Sequence, residues 1–234
     1  MTRKALLAAH LTTQHVMFTS VFAALHVILS QIPLFYIFGA YGQFMPASLI
    51  VTPAIGLVLG PILGATATAI GGIASMIITG NMPLGVFSFL PGMFNALCVG
   101  LILRRKRYIS AAIFAAFTTA LALLPSLSAV RYYVWLHFIA LAVLLSPASM
   151  LAVKYVKEAD QKKSVLGTGI LAFVGVLIQH AVGSFIFQLL TPLPQAMLET
   201  LAFIYPVERL LATIAATIVG VAIIRGVRAS GFRI

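Results

Sequence analysis

A chain of 234 residues that is 62% hydrophobic and 8% charged, with mean hydropathy +1.11, lies far from soluble proteins, where about half the residues are apolar and about a quarter charged. The composition is that of an integral membrane protein, with room for up to about ten spans of roughly 20 residues and little left for a soluble domain. Fifteen Lys and Arg against four acids give +11, but the bases sit in short clusters between apolar runs rather than on one soluble face, so nucleic acid is not the expected partner. The one cysteine, Cys98, lies in an apolar run and allows neither a disulfide nor a cysteine metal site within the chain.

Arg3 and Lys4 precede an apolar stretch broken by His10, Thr12, Thr13, Gln14 and His15, with no small-residue cleavage site, so a retained first helix is expected rather than a removed signal. Apolar runs then fall at about 12–30, 44–60, 62–79, 84–103, 108–124, 132–153, 165–190 and 206–226. Unpaired peptide groups cannot face hydrocarbon, and these continuous runs lack the alternation of a barrel strand. The predicted fold is therefore an all-α polytopic bundle of about eight transmembrane helices, one membrane domain over 1–234. Gly60-Pro61 predicts a tight turn between the second and third spans, and Asn81-Met82-Pro83 a turn before the fourth. The segments 31–43 and 191–206 hold proline, glycine and aromatic residues rather than a charged linker, and are expected to fold down as caps or short interfacial helices.

An even number of spans puts both termini on one side. That side collects Arg3, Lys4, the run Arg104-Arg105-Lys106-Arg107, then Lys154, Lys157, Lys162, Lys163, Arg225, Arg228 and Arg233, thirteen of the fifteen bases. Only Arg131 and Arg209 fall opposite. Basic residues near span ends are retained on the cytoplasmic side, so a cell-membrane protein with both termini cytoplasmic is expected, its basic loops against anionic lipid headgroups.

Gly56, Gly60 and Gly64 recur every fourth residue, followed by Ala65, Ala67, Ala69, Gly71 and Gly72. Small residues at this spacing let helices approach closely in lipid, predicting a tight helical hairpin. This run, PASLIVTPAIGLVLGPILGATATAIGG (46–72), together with LPGMFNALCVGLILRRKR (90–107) and YPVERLLATIAATIVGVAIIRGVR (205–228), resembles the substrate-binding S component of energy-coupling factor transporters. The resemblance implies a small all-α subunit that captures a vitamin or similar micronutrient from outside, beneath flexible loops. It also implies a transmembrane coupling subunit and a pair of ATP-binding subunits as partners. Against the family's six helices, the spans 108–124 and 132–153 would form an inserted hairpin. The family's docking alanine pair has its nearest equivalents in Thr19 with Ala23 and Ser20 with Ala24.

Polar residues inside spans are costly unless they face a partner or a wet cavity. At about 1.5 Å rise per residue, His26, His137, Gln179, His180 and Gln188 fall in the outer parts of their helices, Asn95 near mid-depth, and Glu199, Glu208 and Arg209 at the outer border of the eighth. Their collection at one level predicts an outward-facing pocket, with His26, Asn95, Gln179, His180 and Glu208 as substrate-binding residues. Adjacent polar residues such as Gln179 and His180 cannot both hide on one helix face. Clustered carboxylates for a metal, a Walker glycine loop, a Gly-x-Ser-x-Gly elbow and a His-Glu-x-x-His helix do not occur in the sequence, so no enzyme, metal or cofactor is expected and any ATP would bind a partner. Two alternatives remain at this stage: a haem-binding redox subunit using His26, His137 and His180, and a membrane scaffold without a ligand.

Overall fold

The computed structural model describes residues 13–158 and 160–231. Helices α1 (Thr13–Ser30), α2 (Ser48–Thr79), α3 (Leu90–Leu103), α4 (Arg107–Ala122), α5 (Trp135–Leu145), α6 (Pro147–Lys157), α7 (Gln161–Leu190) and α8 (Gln195–Ala229) pack around one hydrophobic cluster. Between α1 and α2 the chain forms an antiparallel pair, β1 (Pro33–Tyr36) and β2 (Phe44–Pro46). Among the described residues five helices are long and apolar enough to cross a membrane: Thr13–Ser30, Ser48–Thr79, Gly85–Leu103, Gln161–Leu190 and Gln195–Ala229. A sixth is obtained if the bent pair α5 and α6 is taken as one span. The protein is thus an all-α, multi-pass helical bundle, with fewer helices of spanning length than the eight expected.

The difference has local causes. Residues 48–60 of the expected span 44–60, whose first residues form β2, and the expected span 62–79 fall within α2, whose helical geometry is interrupted only at Gly60, with φ 77 and ψ −172. That region is open essentially to glycine alone. A Cβ on Gly64 would lie 3.1 Å from the Cα of Gly56, whereas residues eight apart in a straight helix are separated by about 12 Å. The arms 48–59 and 61–79 therefore fold back on each other, which is the tight hairpin read from Gly60-Pro61. Helix α3 packs into the same turn: a Cβ on Gly100 would collide with Gly60 and the backbone of Pro61, and one on Gly56 with the carbonyl of Ala96. Close backbone approach of this kind is what holds helices together where lipid removes the hydrophobic incentive.

The expected span 132–153 is broken at Ser146-Pro147, where α5 and α6 meet at 68°. A residue before proline avoids the helical region, and Ser146 is extended at ψ 166. Its Oγ accepts from Ala148 N at 3.2 Å and caps α6. The same Oγ donates at 2.8 Å to the Val143 carbonyl, which Pro147 cannot serve, and Arg107 Nη1 donates to the Ser146 carbonyl at 2.9 Å. Helix α4, in the place of the expected span 108–124, is only 16 residues long.

The two cap segments also differ from expectation. Residues 33–46 form a β-hairpin because Gly39 and Gly42, at φ 82 and 70, supply the reversal between apolar strands. From Gln195 onward the second segment is already α8, which continues through Pro206. Pro206 has no N–H for the carbonyl of Ala202, and Trp135 Nε1 donates to that oxygen instead, at 3.4 Å.

The basic clusters meet at one end of the bundle. Arg104 lies beside the Gly60 turn, Arg107 holds the α5–α6 bend, and Arg228 donates to the carbonyls of Val156 and Glu158 at the α6–α7 junction. Arg3, Lys4 and Arg233 lie outside the described residues. The β-hairpin, the 80–89 loop and the 191–194 link occupy the other end, joined by the bonds and the shared cavity described below. Gly100→Ala should lower stability by about 1–3 kcal/mol through backbone overpacking, whereas Gly226→Ala, with open space around its Cα, should be neutral or mildly stabilising. Thermal unfolding of the detergent-solubilised protein checks the pair.

Candidate functional site

The hairpin end encloses a cavity of about 150 Å³ within a larger, partly open cleft. Its walls come from β1–β2 (Tyr36, Phe44), the 80–89 loop (Leu84, Ser88), the α7 face (Gln179, His180, Ser184, Gln188) and α8 (Tyr205, Glu208, Arg209). On α7, positions 180, 184 and 188 follow at intervals of four, so one helix face presents an imidazole, a hydroxyl and an amide in succession. Gln179 reaches the same space from the adjoining face, as the impossibility of hiding two neighbouring polar residues requires.

Behind this face the polar groups hold one another. His180 Nδ1 and His137 Nε2 are 3.0 Å apart, and His180 Nε2 lies 3.1 Å from Ser184 Oγ. Asn95 Nδ2 donates to Gln179 Oε1 at 2.8 Å. Asn95 fits only because Gly175 has no side chain: a Cβ there would collide with Asn95 Oδ1. Tyr205 Oη donates to the Tyr133 carbonyl at 2.6 Å, and its ring stacks on His180 with centroids 4.4 Å apart. The rings of Tyr133, His137, His180 and Tyr205 form one aromatic block, with Tyr133, His180 and Tyr205 at the cavity wall and His137 behind them.

The hairpin is tied down over this space by side chains of fixed reach. Asn81 Oδ1 accepts from Phe44 N at 3.0 Å while its Nδ2 donates to Phe44 O at 2.9 Å, copying the pairing of a neighbouring strand. Gln43 Oε1 accepts from Met82 N at 2.7 Å. On the far side, Gln188 Oε1 accepts from Leu193 N at 3.1 Å and fixes the link into α8.

Of the residues expected at the site, Gln179, His180 and Glu208 line the cavity. Asn95 is fully buried one layer behind, where it positions Gln179. His26 lies in the seam between α1, α2 and α3, against Gly71 and Gly92, with its Nδ1 3.4 Å from Ser30 Oγ. It does not line the cavity. Along α1, Thr19 is half-buried and bonds to the His15 carbonyl, Ala23 is buried against Gly71, and Ser20 and Ala24 are exposed. The imidazoles of His137 and His180 bond to each other, which leaves no room between their facing nitrogens for an iron at roughly 2 Å from each. Among the described residues no group of three or more His, Cys, Asp or Glu is placed to hold a metal.

Arg209 is the residue that sequence reasoning left out of the site. It is 1% exposed and lines the cavity, with Nη2 3.3 Å from Glu208 Oε2 and its guanidinium carbon 5.9 Å from the Phe35 ring centroid. The sequence carries a signal for it, since Arg209 is one of only two bases away from the basic end, but its adjacency to Glu208 also fits an interfacial charge pair. Compared with known proteins, the chain matches no family model, no curated protein and no solved structure.

Asn81→Ala removes both bonds to the Phe44 backbone. Amide exchange at Phe44 and Met45 should then quicken by about tenfold, the equivalent of one net hydrogen bond, with the helical core unchanged in hydrogen–deuterium exchange mass spectrometry.

Proposed function

We propose that this protein is the solute-capturing membrane subunit of an uptake system, of the kind represented by the S components of energy-coupling factor transporters. The observation that carries the reading is the half-enclosed cavity, walled by polar side chains of α7 and α8 and roofed by β1–β2, at the end of the bundle opposite the basic loops. Basic loops are retained on the cytoplasmic side, so that cavity faces outward, in a cell-membrane protein with cytoplasmic termini. A pocket of this kind, largely apolar with a few convergent polar groups, is the usual form of a small-molecule site. The fold-back of α2 at Gly60 supports counting its arms as separate passes. With α4 and the α5–α6 pair taken as the inserted hairpin, the remaining six passes form the S-component-like core.

The chain itself supplies binding and no catalysis. Gln179, Ser184 and Glu208 offer hydrogen bonds to the solute, Asn95 holds Gln179 in place, and His180, its two nitrogens engaged by His137 and Ser184, orients the Ser184 hydroxyl at the cavity wall. The hairpin is the gate: side-chain bonds through Asn81 and Gln43 tie it to the 80–89 loop, and only partly buried side chains such as Leu34, Phe35 and Ile37 pack it against the core. Movement across the membrane would need a transmembrane coupling subunit driven by ATP-binding subunits, with the exposed Ser20 and Ala24 of α1 as part of the docking face.

Acid extraction of the purified protein followed by mass spectrometry tests the reading. Wild-type protein from cells grown in rich medium should release a small solute in near-stoichiometric amount. Gln179→Ala combined with His180→Ala, with unchanged circular dichroism, should retain at most about a tenth of it, the loss of one or two hydrogen bonds. Release of nothing beyond the level of the doubly substituted protein would contradict capture.

A further inference from the structure

We infer that the solute is a carboxylate carried on a flat, unsaturated ring, and that Arg209 is the residue that selects it. The inference rests on the capture reading and gives it a substrate class. Arg209 is almost wholly buried, yet among the described residues its Nε and Nη1 meet no acceptor. Its only bonded nitrogen is Nη2, at 3.3 Å from Glu208. A buried guanidinium left with unused N–H groups is costly, and native interiors tolerate it where a ligand or ordered water completes the shell.

The other features of the cavity narrow what that ligand is. The fork of a guanidinium matches the paired oxygens of a carboxylate in plane and spacing, and charge-assisted bonds of this kind are about twice as strong as neutral ones. The cavity is lined by the rings of Tyr36, Phe38, Phe44, Tyr133, Phe187 and Tyr205 as well as by aliphatic side chains, and the Phe35 ring centroid lies 5.9 Å from the guanidinium carbon. Flat faces of this kind favour a planar solute by offset stacking. Glu208 keeps one-fifth of its side chain exposed at the rim and already offsets part of the Arg209 charge. The anion is therefore held mainly by directed hydrogen bonds, and an N–H donor beside the carboxylate satisfies Glu208 at the same time. The volume of about 150 Å³ suits a solute of one or two fused rings.

The test uses matched probes that differ only in charge: benzoate against benzamide, and indole-2-carboxylate, whose ring N–H adjoins the acid, against indole-2-carboxamide. Titration of the solubilised full chain should show each carboxylate binding about 10- to 100-fold more tightly than its amide, the worth of one charge-assisted bond. The indole pair should be the tighter. Arg209→Gln should erase the preference, and Arg209→Lys should recover part of it, which guards against a variant that merely folds poorly. Amides binding as well as carboxylates, a preference that survives in Arg209→Gln, or no carboxylate binding up to millimolar concentration would each overturn the inference. These failures are separable from failure of the capture reading: a neutral or cationic solute extracted from the wild-type protein leaves capture standing and removes the carboxylate.

Discussion

The cost of an unsatisfied polar group in hydrocarbon governs this structure at every level. It forces the backbone into helices, whose amides are paired internally, and leaves non-helical chain only where other groups take over the bonding. The 68° bend at Ser146-Pro147 survives because Ser146 caps the following helix and its hydroxyl takes the Val143 carbonyl that Pro147 leaves, while Arg107 bonds the carbonyl at the corner. Pro206 sits inside α8 because Trp135 serves the oxygen that proline cannot. The β-hairpin stays closed on the bundle because Asn81 completes its edge as a strand would. Among the described residues a few buried side-chain atoms escape the same rule, single atoms of Asn95, Ser110, Thr118, His137, Ser164 and Thr168 and two nitrogens of Arg209; the charged one, the guanidinium, sits in the wall of the cavity.

Close packing of small residues does the complementary work. In the absence of a hydrophobic force between helices in lipid, α2 folds on itself and onto α3 through glycines at 56, 64 and 100, with no side chain between the backbones. This tight corner lies at the basic end and gives the bundle a dense base. The polar face of α7, by contrast, has Gly175 and Gly183 beside it, one admitting Asn95 and the other lying against Pro91 at the cavity. Density at one end and room at the other set a rigid scaffold beneath a roofed hollow.

Much of this was legible in the sequence, for identifiable reasons. Composition and the length of the apolar runs give a polytopic helical bundle, and Gly60-Pro61 gives the fold-back. The adjacency of Gln179 and His180 puts at least one of them in a polar space, and both line it. The count of spans was less accessible, because apolar runs measure hydrophobicity and not helix length: α4 stops at 16 residues and the 132–153 run conceals a proline break. The hairpin was missed since four-residue apolar strands carry no periodicity to set against a short helix. Depth along a helix says nothing of azimuth, and the ring of His26 turns into the α1–α2 seam. Arg209 was hidden by its neighbour: a sequence shows that Glu208 and Arg209 are adjacent, and only geometry shows that one guanidinium nitrogen is used and two are free.

The account turns on a water-filled hollow at the end of the bundle away from the basic loops, open to the outside of the cell. With the single buried thiol removed by Cys98→Ala, Ser184→Cys places a reporter on the cavity wall and Lys163→Cys one at the basic end. A membrane-impermeant thiol reagent applied to intact cells should label the first and spare the second until the cells are permeabilised. Labelling of Lys163→Cys in intact cells, or a Ser184→Cys thiol that stays inert on both sides, would contradict it.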